Sequence, residues 1–184
     1  MDLHILAICT GNICRSPAVE RLFTARLPAS VTVSSAGTRA VVGSPIAPPM
    51  AALLRRVSAE TSDFEARQIT DALINEADLI LTATVAHRGT VVSMRPTAMR
   101  RSFTLLEFSR SMSYLNAGSL ANLSLHQRIR CLADHVCQTR PRMRLPEAEL
   151  DIPDPYGLGQ EVYNTSFALI NQAVATISHQ LTMS

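Results

Sequence analysis

The chain has 184 residues, 47% of them apolar and 17% charged, enough for one compact domain whose core needs no disulfide or metal to hold it. Seventeen basic residues against fifteen acidic leave a formal charge of +2, too small a surplus to make nucleic acid or an anionic membrane the expected partner. Every basic residue is Arg, and the absence of Lys excludes Schiff-base chemistry, a Walker A phosphate loop and a lysine general base.

Leu3 to Ile8 is a short apolar run ending in Thr-Gly-Asn and predicts a buried strand. Ser16 then Pro17 predict a helix N-cap and first helical residue, with Ala18, Leu22 and Ala25 recurring at helical spacing up to Leu27. Val31 to Ser34 is a second strand, turned by Ala36-Gly37. Pro48-Pro49 opens a helix in which Met50, Leu53, Leu54 and Val57 share a face. Thr70 caps a short helix through Ala77, Leu79 to Thr82 is a third strand, and residues 84–94 form a helix stopped near Arg95-Pro96. Phe103 to Leu105 is the fourth strand, a helix starts near Leu106, and Asn116 to Ser119 is a loop.

Leu125, Ile129, Leu132 and Val136 mark an amphipathic helix, followed by a basic, proline-punctuated loop at 138–146 whose Arg140, Arg142 and Arg144 are expected in solvent. A last helix runs from about Gln160 to Leu181. The alternation of strands and helices predicts an α/β fold: a parallel sheet covered by helices on both faces, with ligands at the carboxyl ends of the strands near a switch point. The four cysteines (Cys9, Cys14, Cys131, Cys137) are too few for a secreted disulfide framework and lack the C-x2-C spacing of a zinc site. Cys131 and Cys137 are expected in the core, and all five His residues are expected to be structural or solvated. No apolar run reaches the length of a membrane span, and the N-terminal apolar run lacks a basic flank and a cleavage site, so a cytoplasmic protein is expected.

Residues 9–17, CTGNICRSP, join the first strand to the first helix. A helix start offers unpaired N–H groups and the positive end of the dipole, and Gly11 and Asn12 permit the positive φ that lets successive amides converge. Arg15 adds a planar fork matched to two phosphate oxygens. Cys9 at the mouth of this nest would be favoured as thiolate, with Ser16 able to donate to the sulfur. An anion cradle with a nucleophile at its floor suits attack on phosphorus, giving phosphocysteine. Two acids, Asp151 and Asp154, stand close together at and just before IPDPYG (152–157); the residues alone do not choose between them, and a rigid turn whose Asp caps a helix is the competing reading.

CTGNICRSP resembles the phosphate-binding loop of the low-molecular-weight protein-tyrosine phosphatases almost residue for residue. SAGT (35–38), ARQIT (66–70), DLILT (78–82) and IPDPYG (152–157) follow in the family's order. The resemblance implies a single domain over residues 1–184, a four-stranded parallel sheet with helices on both faces (flavodoxin-like, phosphotyrosine phosphatase I type), and a longer segment than usual at about 109–144. It implies that Cys9 is the nucleophile, Arg15 the phosphoryl clamp and Asp154 the general acid, with Tyr156 lining the substrate cleft. Thr10, Gly11, Asn12, Ile13, Cys14 and Ser16 would surround the phosphate; Asn12 and Ser16 would hold the loop's shape, and Cys14 could form a reversible disulfide with Cys9. The implied activity is metal-independent hydrolysis of phosphotyrosine in a protein, or of a small aryl phosphate, by a monomer or weak dimer with no cofactor, no nucleic acid and no membrane.

Phe64 stands where the family commonly has His, which predicts a thinner network behind Ser16. Arg39 and Val41 fall at the cleft wall, so substrate preference is not transferable. Arsenate reduction on the same fold would need relay cysteines near residues 80–90, where there are none. A non-catalytic phosphate-binding module would be expected to lack Cys9 or Asp154, and both are present.

Overall fold

Four strands, β1 (Leu3–Cys9), β2 (Val31–Gly37), β3 (Leu79–Thr82) and β4 (Ser102–Thr104), lie parallel in the order β2-β1-β3-β4. The structure is a computed structural model that describes residues 3–115, 120–143 and 146–183. Its helices are α1 (Arg15–Thr24), α2 (Pro48–Arg56), α3 (Asp71–Glu76), α4 (Val85–Met94), α5 (Leu105–Ser111), α6 (Leu125–Met143), α7 (Glu147–Leu150) and α8 (Gln160–Thr182). The two-residue period of β1 sorts its side chains into two cores. Leu3, Ile5, Ala7 and Cys9 belong to the larger one with Leu22 of α1, Leu54 of α2, Phe108 of α5 and Ile170 of α8. Leu6 and Ile8 point the other way, to Ile74 of α3, Val91 of α4 and Ala98. Both faces of the sheet are therefore covered, as the alternating elements predict. The chain runs from β1 to β2 on one side and then from β2 across to β3 on the other side of β1, so the switch point lies at the carboxyl ends of β1 and β3.

Three local expectations are corrected. Ser16 is not an N-cap: α1 starts at Arg15, two residues before the expected Pro17, and the Ser16 hydroxyl is engaged by Cys9 and Asn12 instead. β2 does not turn at Ala36 but continues to Gly37, each residue paired with β1. The basic loop expected at 138–146 is helical as far as Met143, with Pro141 inside α6. Arg144, and the loop expected at Asn116 to Ser119, lie outside the described residues.

The reason α6 persists is a partner far away in sequence. Glu107, on α5, is 1% exposed and takes Arg140 Nε at 2.5 Å and Arg88 Nη1 at 2.9 Å. Its Oε2 also accepts the Thr104 amide, while its own amide donates to Thr104 Oγ1, a reciprocal cap on α5. The Arg140 guanidinium lies 5.3 Å from the Phe103 ring centroid. Arg140 is thus bound to α5 and β4, not dissolved in a loop. Cys131 and Cys137 are half-buried at the edge of the larger core, less enclosed than expected. No described helix is long and apolar enough to cross a membrane.

Candidate active site

The loop that follows β1 has its carbonyls turned outward. Cys9 O accepts from the Thr38 amide, Thr10 O from Arg39, Gly11 O from Val41 and Ile13 O from Ala47, at 2.8–3.0 Å. In a trans peptide the N–H points opposite to the C=O, so the amides of Thr10, Gly11, Asn12 and Cys14 face the inside of the loop. Four donors converge where α1 begins, and the helix dipole adds positive potential. The outer wall is close-packed: a Cβ on Gly37 would stand 2.4 Å from Thr10 O, so the glycine of the SAGT motif lets β2 approach the loop.

Asn12 alone supplies the left-handed turn, at φ 55°; Gly11 is not left-handed, contrary to expectation. Asn12 is fully buried, and its side chain is fastened on both ends. Its Oδ1 accepts the Arg67 amide at 2.8 Å, which orients Nδ2 to donate to Ser16 Oγ at 2.9 Å and Ser35 Oγ at 2.8 Å. Ser16 Oγ in turn lies 3.0 Å from Cys9 Sγ. Because Ser16 accepts from Asn12, its own proton is available to the sulfur or to Ala36 O, which lies farther off at 3.5 Å. Ser35 donates to Glu20 Oε2 at 2.6 Å, and burial raises the Glu20 carboxyl above its usual range. Phe64 is buried with the Arg21 guanidinium 5.5 Å from its ring centroid, and the hydrogen bonds behind Ser16 run through Asn12 and Ser35 to Glu20.

In front of the loop lies a cleft of about 330 Å³ lined by Cys9, Arg15, Asp154 and Tyr156, with Ile13 and Val41 as apolar wall and Arg39 at its edge. Arg15 is 4% exposed and held by Ile152 O at 3.2 Å. Its Nη2 meets Asp154 Oδ2 at 2.5 Å, while half of the Asp154 side chain remains in solvent. Asp151 is otherwise employed, accepting the Val85 amide at the start of α4 at 2.7 Å. Of the two neighbouring acids, only Asp154 lines the cleft. Tyr156 is exposed on the rim. Cys14 also borders the cleft, but its thiol packs 3.8 Å from Tyr163 Oη, and burial pushes its pKa up to about 11. Neither Cys131 nor Cys137 borders the cleft.

One residue of the site escapes the sequence reading. His87, in the first turn of α4, lies 2.9 Å from Thr10 Oγ1 through Nε2 and 2.7 Å from Thr84 Oγ1 through Nδ1. Burial, reinforced by the Arg15 charge, lowers its pKa to about 4, so the ring is neutral at pH 7. The signal that could have found it is position: it follows the carboxyl end of β3 at the switch point.

Fold and cleft together make the chain an α/β protein with an amide-lined cradle suited to an anion at the carboxyl end of its first strand. The family described as low molecular weight phosphotyrosine protein phosphatase matches residues 4–118, more than half of the chain. A probable low molecular weight protein-tyrosine-phosphatase, EpsP, of Ralstonia solanacearum is 36% identical over 106 residues, 58% of this chain and 72% of that protein. The crystal structure of the tyrosine phosphatase Wzb from Escherichia coli K30 in complex with phosphate superposes with a TM-score of 0.67 at 26% identity, covering 97% of this chain and 98% of Wzb. The YwlE arginine phosphatase from Geobacillus stearothermophilus shares the fold, with a TM-score of 0.71 at 24% identity over 97% of this chain and 92% of YwlE. The chain belongs to the low molecular weight phosphotyrosine protein phosphatase family.

Proposed function

We propose that the protein hydrolyses phosphotyrosine and small aryl phosphates without a metal, through a phosphocysteine intermediate. The observation that carries this reading is the outward turn of the loop carbonyls, which aims four amides at the space in front of the buried Cys9 sulfur. In the first step the Cys9 thiolate attacks phosphorus and the bond to the aryl oxygen breaks. The amides and the Arg15 fork hold the non-bridging oxygens, and the Asp154 carboxylic acid gives its proton to the departing phenolate. Entry of the phosphoryl group replaces the Arg15–Asp154 pair by an Arg15–phosphoryl pair and frees the carboxyl for this task. In the second step the Asp154 carboxylate takes a proton from water, the water oxygen attacks phosphorus, and the P–S bond breaks to return the thiolate, which the Ser16 hydroxyl stabilises.

The apolar wall of Ile13, Val41 and Tyr156 suits an aromatic ring. Among the described residues lining the cleft Asp154 is the one acid, which leaves a phosphoarginine guanidinium no carboxylate besides the catalytic one. The reading also takes residues 1–184 as one domain in which the segment at about 109–144 is added to the family's common core. The family match ends at residue 118, and Arg140 clips the added helix α6 to Glu107.

The test compares p-nitrophenyl phosphate, a phosphotyrosine peptide and a phosphoarginine peptide on wild type and Cys9→Ala, with a chelator present. Turnover of the two aryl esters, abolished in Cys9→Ala, is expected. Preference for phosphoarginine, or full activity in Cys9→Ala, would overturn the reading.

A further inference from the structure

The Thr10 hydroxyl and the His87 ring behind it have no part in the chemistry derived so far. Thr10 is the first residue after β1 and lines the cleft, and His87 is buried behind it. Hydrogen-bond direction can be followed from the buried end outward. Thr84 Oγ1 accepts the His87 amide at 3.2 Å as the cap of α4. Its own proton then has a single acceptor within reach among the described residues, His87 Nδ1 at 2.7 Å. With Nδ1 accepting, the neutral ring carries its proton on Nε2 and donates to Thr10 Oγ1 at 2.9 Å. Arg15 Nη2 approaches the same oxygen at 3.4 Å. Thr10 Oγ1 is therefore an acceptor from two protein groups, and its proton is left for the cleft. The opposite tautomer would send the Thr10 proton back to Nε2 and leave the Thr84 proton without an acceptor, a cost in a part-buried site.

We infer that Thr10 donates its hydroxyl proton to an oxygen of the bound phosphoryl group, and that His87 is the positioning residue that imposes this direction. The inference rests on the proposed phosphoryl occupancy of the cleft. It adds a side-chain donor beside Arg15, held through a ring that burial keeps neutral. A cationic His87 would have no acceptor site for Thr84, so the relay depends on the uncharged ring.

The test uses Thr10→Val, which keeps the shape without the hydroxyl, Thr10→Ser, which restores it, His87→Phe, and the Thr10→Val/His87→Phe double variant. Two quantities are read: the affinity for inorganic phosphate by calorimetry, and kcat/KM for p-nitrophenyl phosphate. Loss of one hydrogen bond to a charged oxygen is expected to weaken both by about tenfold in Thr10→Val. Thr10→Ser is expected to recover most of that loss. His87→Phe is expected to lose about as much as Thr10→Val and to add nothing in the Thr10→Val background. Undiminished phosphate affinity in Thr10→Val, or a further loss from His87→Phe on top of it, would overturn the inference. If His87→Phe does not fold, the contrast between Val and Ser at position 10 still decides. A wild type that binds phosphate without hydrolysing the ester would refute the proposed activity and leave the binding arm of this test intact.

Discussion

Replacing Asn12 by Ala should destabilise the protein more than any other single change in the loop. The substitution removes three buried hydrogen bonds, to the Arg67 amide, Ser16 and Ser35. At about 1 kcal/mol each they amount to roughly 3 kcal/mol. Holding Ala at φ 55° adds about 1 kcal/mol, because Asn visits the left-handed region more readily than other L-residues. The sum, about 4 kcal/mol, is a large share of the roughly 5–15 kcal/mol by which such domains are stable. Ser35→Ala breaks the 2.8 Å bond from Asn12 and the 2.6 Å bond to Glu20, for about 2 kcal/mol. The two changes share one bond, so the double variant should cost about 1 kcal/mol less than the sum of the singles. Urea unfolding followed by far-ultraviolet circular dichroism suits a chain without Trp. A loss under 1 kcal/mol in Asn12→Ala, or strict additivity with Ser35→Ala, would refute the reasoning.

Other changes have equally definite expected outcomes. Glu107→Ala strands the Arg88 and Arg140 guanidiniums around a buried site and should cost about 3–5 kcal/mol in thermal or urea unfolding; an unchanged midpoint would remove Glu107 as the clip between α5 and α6. Asp154→Asn should depress turnover of phenyl phosphate far more than that of p-nitrophenyl phosphate, whose leaving group needs less help from an acid; equal losses would take Asp154 out of the acid role. His87 has a folded pKa of about 4 against about 6.5 unfolded, so the unfolded chain binds the extra proton between those values. Stability should therefore fall as pH drops from 6.5 to 4, by roughly 3 kcal/mol from this group. His87→Phe should flatten that part of the stability profile, and an unaltered profile would contradict a buried neutral ring.

The candidate loop is legible in the sequence because its parts are contiguous: a short apolar strand runs straight into CTGNICRSP, which holds a residue tolerant of left-handed backbone, an Arg and a helix start. The sheet is legible for the same reason, each strand being an apolar run closed by turn residues. What escapes depends on contacts between distant segments. Pro141 reads locally as a helix stop, yet α6 continues past it because Glu107, 33 residues earlier, holds Arg140. Ser16 reads as a cap by type, but its hydroxyl is claimed by Cys9 and Asn12 once the loop folds back. Gly11 and Asn12 look equally suited to positive φ, and only the clasp of the Asn12 amide by Arg67, Ser16 and Ser35 puts the turn at Asn12. His87 is 77 residues from Thr10 and joins it through the parallel pairing of β1 with β3. The choice between Asp151 and Asp154 likewise needs the Val85 amide, which takes up the first of them.

The most direct measurement is acid quenching of wild type and Asp154→Asn during turnover of p-nitrophenyl phosphate, followed by mass spectrometry of the loop peptide. A phosphoryl adduct on Cys9 is expected, more abundant in Asp154→Asn, where the attacking water has lost its base, and absent from Cys9→Ala. Turnover with no adduct on Cys9 in either protein, or an adduct confined to another side chain, would contradict attack by the sulfur at the floor of the loop.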